Sequence, residues 1–169
     1  MIPITAPSMN PMQLALKRVD QLTGLFEVAR ALSAGKSRAE LLELVLREST
    51  RGVGAERAVL FLLGEGGALR SEGATPGLAA PAGQGLLGAV VQGGDPVRVN
   101  AVKSEPRYHA ATDALGVPAV GSFVAVPLRD RAGKVIGVFA AVHEAEDHFE
   151  ADAVELLDAM AGLAAAALR

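Results

Sequence analysis

Two apolar runs, GSFVAVPL (Gly121–Leu128) and KVIGVFAAVHE (Lys134–Glu144), are joined by the polar segment RDRAGK. Each run reads as a strand, and the polar turn around Gly133 reverses the chain. A parallel pair would need a crossover of a dozen or more residues, so these two strands pair antiparallel. Three more strands fit the same reading. ERAVLFLLG (Glu56–Gly64) is a short continuous apolar run bounded by glycine on one side, GEGG is a hairpin-type turn, and ALRSEG follows it. DPVRVN (Asp95–Asn100) is a brief strand. Consecutive strands with tight turns make an antiparallel sheet.

Helical periodicity brackets the strands. From Met12 to about Ala34, the residues Ala15, Val19, Leu22, Phe26 and Ala29 are spaced 4-3-4-3, a heptad-like stripe. Leu25, Val28 and Leu32 form a second stripe beside it. One stripe can cover a core; two call for a second partner. Ser37 and Glu40 have the capping-box spacing at the start of SRAELLELVLREST. TPGLAAPAG is turn-rich, and GQGLLGAVVQGG (Gly83–Gly94) is a short helix framed by glycines. The last helix starts near Phe149, with Val154, Leu157, Ala161, Ala164 and Leu168 in a 3-4-3-4 repeat. Residues 1–11, with three prolines, read as a flexible leader, and 12–169 as one domain. Terminal helices must cover one face of the sheet, which makes the fold α+β.

The composition removes several functions. No Lys/Arg cluster stands out and the net charge is −3, which argues against nucleic-acid binding. No apolar run reaches the roughly 18 residues of a membrane span, because Asp152, Glu155 and Asp158 interrupt the Ala-rich end. The first residues lack a secretory signal, so a cytoplasmic location is expected. There is no cysteine, which excludes disulfides, cysteine-ligated metals and thiol catalysis. No Ser/His/Asp set suggests a triad, and no enzymatic activity is expected.

The long connection VNAVKSEPRYHAATDALGV (Val99–Val117) is the candidate site, since long connections in compact domains usually serve a function. Arg107, Tyr108 and His109 combine a cation, an aromatic face and a tunable donor, and Asp113 adds a carboxylate. Ser122 and Phe123 start the next strand and would line an entrance. Asn100 would tie the loop down by an Asx turn. The wall would come from Leu60, Leu62, Val124, Val126 and Val138, whichever set faces the loop. The alternative is a clamp, with Arg107 paired to Glu105 or Asp113 and Tyr108 packed over the sheet. GQG at Gly83–Gly85 could offer helix amides to an anion or serve as a turn needing positive φ; the turn is the favoured reading. His143 and His148 are expected at the surface.

The ordered phrases LTGLFEVARALSAG, AERAVLFLL, GQGLLGAVVQGGDPVRVN, SEPRYHA, GSFVAVPLRDRAGKVIGVFAAVHE and FEADAVELLDAMAGLAAAAL resemble the GAF domain, a small-molecule sensing module of signalling proteins. The resemblance covers about Leu22 to Leu168. It implies a sheet of five to six antiparallel strands with the terminal helices on one face, and short helices and a lid loop over a pocket on the other. It also implies a homodimer through the terminal helices that relays a signal to an output domain. Cyclic-nucleotide-binding relatives carry an Asn-Lys…Phe…Asp-Glu set; here those positions read His143, Glu144, Phe149, Ala153 and Val154, and only the Phe matches. Bilin attachment and methionine sulfoxide reduction in the family need cysteines. Haem would have to be ligated through His109, whose commoner role is that of a partly exposed loop residue. Two readings follow. Either a small molecule binds under the 101–119 loop and shifts the terminal helices, or the chain is a ligand-free dimerisation or protein-interaction module. The helix at AAAALR reads as unfinished, as in an N-terminal fragment of a larger signalling protein or a single-domain protein that works by dimerising.

Overall fold

The computed structural model describes residues 9–73 and 77–168. Residues 1–8 of the expected leader lie outside them, and Asn10 and Pro11 already belong to the first helix. α1 (Pro11–Ser33) begins at Asn10, whose side chain accepts from the Gln13 amide while the Gln13 side chain accepts from the Asn10 amide. This reciprocal pair satisfies two otherwise orphaned donors. α2 (Arg38–Val53) begins at Ser37, whose hydroxyl accepts from the Glu40 amide at 3.2 Å.

The remaining elements run β1 (Arg57–Leu63), β2 (Leu69–Glu72), β3 (Ala79–Ala80), α3 (Gly85–Gly93), β4 (Val97–Val99), α4 (Ala110–Asp113), β5 (Ser122–Arg129), β6 (Val135–His143) and α5 (Ala151–Ala167). The strands form one antiparallel sheet in the order β3-β2-β1-β6-β5-β4. The expected hairpin is β5–β6, with Val124 opposite Ala141 and Val126 opposite Phe139. Asp130 closes its turn by accepting from the Ala132 and Lys134 amides. β4 pairs only with residues 123–125, so Pro127 sits where β5 has a neighbour on one side alone. The two-residue β3 lies in the segment read only as turn-rich.

Alternation along the strands separates two cores. Leu60, Val124, Val126, Leu128, Phe139 and Ala141 face α2 and α5, against Val45, Leu46, Leu157 and Met160. Val59, Phe61, Phe123, Ala125, Val138 and Ala140 face the other way, against Leu86, Leu87 and Val90 of α3 and against Leu115. Each fully buried large side chain contributes on the order of 2 kcal/mol. Terminal helices on one face, with α3 and the long connection on the other, match the expected architecture.

α1 departs from the usual amphipathic pattern. From the Leu25–Val28–Leu32 stripe, Leu25 and Val28 meet the body, and Val28 is buried. Most of the heptad-like stripe faces away: Val19, Leu22 and Phe26 are between 60% and 64% exposed, Ala15 is exposed and Ala29 half-buried, and Met12 and Leu16 beside them are exposed too. The N-terminal half of the inner face is polar instead. Buried Gln21 donates to the Gly52 carbonyl and to Asp152, both at 3.0 Å. Lys17 pairs with Asp152 at 2.9 Å, and Arg51 of α2 pairs with Asp20. Burial pushes the Asp152 carboxyl up, but hydrogen bonds from Lys17 and Gln21 outweigh it and hold it below the usual carboxylate range. No helix among the described residues is long and apolar enough to cross a membrane.

Candidate functional site

The long connection forms a lid over the α3 side of the sheet. It contains a single 3-10 turn at Val102–Ser104 and the one-turn α4. Its base is closed where the Val102 amide donates to the Gly121 carbonyl at 3.0 Å. Arg107 and His109 are exposed, and Tyr108 is half-buried against the lid-side core. Arg107 pairs with Glu105 at 2.8 Å, and its backbone amide also donates to that carboxylate. These bonds hold the Glu105 carboxyl below its ordinary range. Burial, aided by the nearby Asp113 charge, pushes the Tyr108 phenol up. Haem ligation needs an enclosed apolar slot around the imidazole, and the exposed His109 does not fit that requirement.

Asp113 is fully buried. Its Oδ2 accepts from the Leu86 and His109 amides, each at 2.8 Å. Its Oδ1 accepts from the Leu87 amide at 3.2 Å and from the Thr112 hydroxyl at 3.4 Å. Leu86 and Leu87 are in the first turn of α3, whose own cap residue, Gln84, makes no side-chain capping bond. The lid therefore supplies the carboxylate that satisfies the start of α3, some 27 residues earlier in the chain. The turn reading of GQG holds, and the α3 amides that could have met an anion are taken by Asp113. Gly83 and Gly85 have φ of +72° and +66°, and the anion at the amides is the chain's own. The sequence carried one signal of this: a helix starting at Gly-Gln-Gly lacks the Ser, Thr, Asp or Asn that normally caps it.

Leu115 follows in the left-handed region, with φ +53°, and is buried among Phe61, Phe123, Leu86 and Leu87. The Arg57 guanidinium donates to its carbonyl at 2.9 Å. Of the expected wall, only Val138 faces the lid; Leu60, Val124 and Val126 face the helices, and Leu62 packs on that side too. Phe61 and Phe123 fill the space under the lid, and Phe139 lies on the opposite face. Cavities of about 660, 440 and 250 Å³ open between α2 and β1, beside the hairpin turn and α5, and between α1 and α2. None of the three is lined by a lid residue.

Asn100 and Ser122 serve the far side of the lid. The Asn100 amide donates to the Phe149 carbonyl at 2.8 Å, and its side-chain oxygen accepts from the Phe149 amide at 3.1 Å. Its backbone carbonyl accepts from Asp147. This is a tie to the start of α5, in place of the local Asx turn expected. The buried Ser122 hydroxyl donates to the Ala145 carbonyl at 2.6 Å and accepts from the His148 amide at 3.2 Å. Ser122 therefore braces the β6–α5 connection and lines no entrance.

His143 and His148, expected at the surface, are half-buried and stacked, with ring centroids 3.6 Å apart and planes 5° from parallel. His148 Nε2 lies 3.3 Å from the Val53 carbonyl at the end of α2. Burial, then the neighbouring His143, lowers the His148 pKa. Folding thus favours the neutral ring. The stability this contributes is complete above the unfolded-state value of about 6.5. It falls as acidification passes below that value towards the lower folded pKa. Wild-type protein should lose more melting temperature between pH 7.5 and 5.5 than His148→Gln, measured by thermal denaturation at both values. Equal losses would remove the ring from the acid response.

Comparison with known proteins follows the same architecture. A Nif-specific regulatory protein of Azotobacter vinelandii is 31% identical over 183 aligned positions, taking in 99% of this chain and 34% of that protein. The chain thus spans about a third of that relative's length. The GAF domain of a phosphoenolpyruvate-protein phosphotransferase from Coxiella burnetii has a TM-score of 0.74 at 19% identity, over 87% of this chain and 92% of that one. A free methionine-R-sulfoxide reductase from Neisseria meningitidis, solved with its substrate, has a TM-score of 0.71 at 20% identity, over 98% and 94%. At such identities the likeness is one of fold, and that fold is able to carry an enzyme. A family model for the GAF domain matches residues 35–169, which takes in α2, the whole sheet, the lid and α5. The chain belongs to the GAF domain family.

Proposed function

We propose that this chain is a regulatory domain that works by pairing its α1 helix with that of a second copy. The observation that carries this is the outward stripe of α1. Met12, Ala15, Val19, Leu22 and Phe26 keep a heptad spacing and are exposed, turned away from the face that α1 packs on the body, and Ala29 continues the spacing half-buried. Such a seam is self-complementary: an identical helix related by a two-fold axis covers it with the same residues. A regulatory role is in keeping with the Azotobacter relative, and the output would then be supplied by another segment or another protein. Sedimentation velocity of the full chain across a hundredfold concentration range is the test, with a dimer expected. A monomer at every concentration would overturn the reading.

Small-molecule sensing under the lid is the second reading, favoured by the bond set that joins Asn100, at the lid's base, to Phe149 at the start of α5. A guest that displaced the lid would be felt directly at a terminal helix. In the closed arrangement Leu115, Phe61 and Phe123 occupy that space, so a guest requires the lid to move.

A further inference from the structure

We propose that the lid is a self-latched gate whose catch is the Asp113 carboxylate, and that release of the lid and uncapping of the first turn of α3 are a single event. The proposal does not depend on how α1 pairs. Between the pinned base of the lid and Gly121, the contacts that bury it are few. Lys103, Ser104, Pro106, Arg107, His109, Ala110 and Ala111 are all exposed. The fully buried part of the lid beyond its base is the short run Thr112–Leu115, with Tyr108, Val117 and Val120 half-buried against the same core.

That run is fastened at two points. The first is Asp113, whose two oxygens accept all four of their hydrogen bonds from neutral donors. Two of those donors are amides of α3, and the other two, the His109 amide and the Thr112 hydroxyl, belong to the lid itself. Breaking this point uncaps α3 and unties the lid in the same event, which is why the two segments must lose protection together. The second is the Arg57 bond to the Leu115 carbonyl. Leu115 is a bulky residue in the left-handed region, a conformation that persists only where its surroundings hold it. Release of the catch lets that backbone relax, which lowers the cost of opening. Lifting Leu115 uncovers an apolar floor of Phe61, Phe123, Leu86 and Leu87, the kind of surface that takes a small apolar guest.

Hydrogen exchange of the full chain, read by mass spectrometry, tests this. Asp113→Asn keeps the volume but turns one oxygen into a donor that faces backbone N–H groups. Exchange in segments 83–94 and 101–119 should accelerate at least tenfold, with β5, β6 and α5 at wild-type rates. Arg57→Met, which frees only the Leu115 carbonyl, should accelerate segment 110–119 by a smaller factor and leave 83–94 unchanged. Unchanged exchange in the lid of Asp113→Asn would overturn the proposal. So would equal acceleration throughout the chain, because Asp113 would then hold the whole fold and not a gate. Should that variant fail to fold, wild-type exchange in low urea decides. The lid and the Leu86 and Leu87 amides must open with one common urea dependence, ahead of β5 and β6. Separate opening of the two would sink the idea.

Discussion

With α1 paired as proposed, replacing Leu22 and Phe26 by glutamate together should abolish that pairing, leaving a monomer, and leave the fold as stable as before. In a two-fold seam each substitution counts twice, so four apolar side chains are lost and four carboxylates are brought face to face. Burial of one such side chain contributes about 1.5–3 kcal/mol, and charge repulsion across the seam acts in the same direction. The dimer should weaken at least a hundredfold, which corresponds to about 2.7 kcal/mol. In the isolated chain both residues are mostly exposed, so urea denaturation should shift by no more than about 0.5 kcal/mol. Val28→Glu is the opposite case. It places a charge on the buried face of the same helix and should unfold α1 from the body. A Leu22/Phe26 variant that sediments as a dimer would show that the outer stripe is not the seam.

Gly85→Ala should be among the most damaging single substitutions in the chain, at about 3–5 kcal/mol by urea denaturation. Two effects combine. The residue has φ +66°, where a side chain costs about 1–2 kcal/mol. A methyl built there would also lie 2.5 Å from Asp113 Oδ2 and 2.7 Å from Oδ1, inside contact distance. Asp113 must then withdraw, leaving buried amides of α3 unpaired at about 1–3 kcal/mol each. Gly133, in the β5–β6 turn, is the control. Its φ is +83°, but nothing lies within 4 Å of the added carbon. Gly133→Ala should therefore cost only the backbone share, about 1–2 kcal/mol. Equal losses at the two positions would mean that the Asp113 contact carries little of the stability at Gly85.

Where the sequence and the structure agree, the forces are local. β1, β5 and β6 are apolar runs long enough to be read alone, and the short RDRAGK turn makes the hairpin antiparallel. Ser37 announces the start of α2 through a bond three residues away. β3 escaped because two residues carry no period, and only pairing with β2 makes them a strand. The lid residues with the most conspicuous chemistry, Arg107 and His109, lie exposed. Asp113, less conspicuous in sequence, carries the buried contacts.

The sequence by itself determined five of the six strands, the terminal helices, their class of packing and the presence of two apolar stripes on α1, because each depends on spacings of two to seven residues. Only the tertiary structure decided which stripe faces out. That choice rests on α2 and α5 offering Gly52, Arg51 and Asp152 to the polar side of α1. It also decided that the cap of α3 is Asp113 and that Asn100 binds Phe149. These partners are 26 to 49 residues apart and meet only once the sheet has brought their segments together.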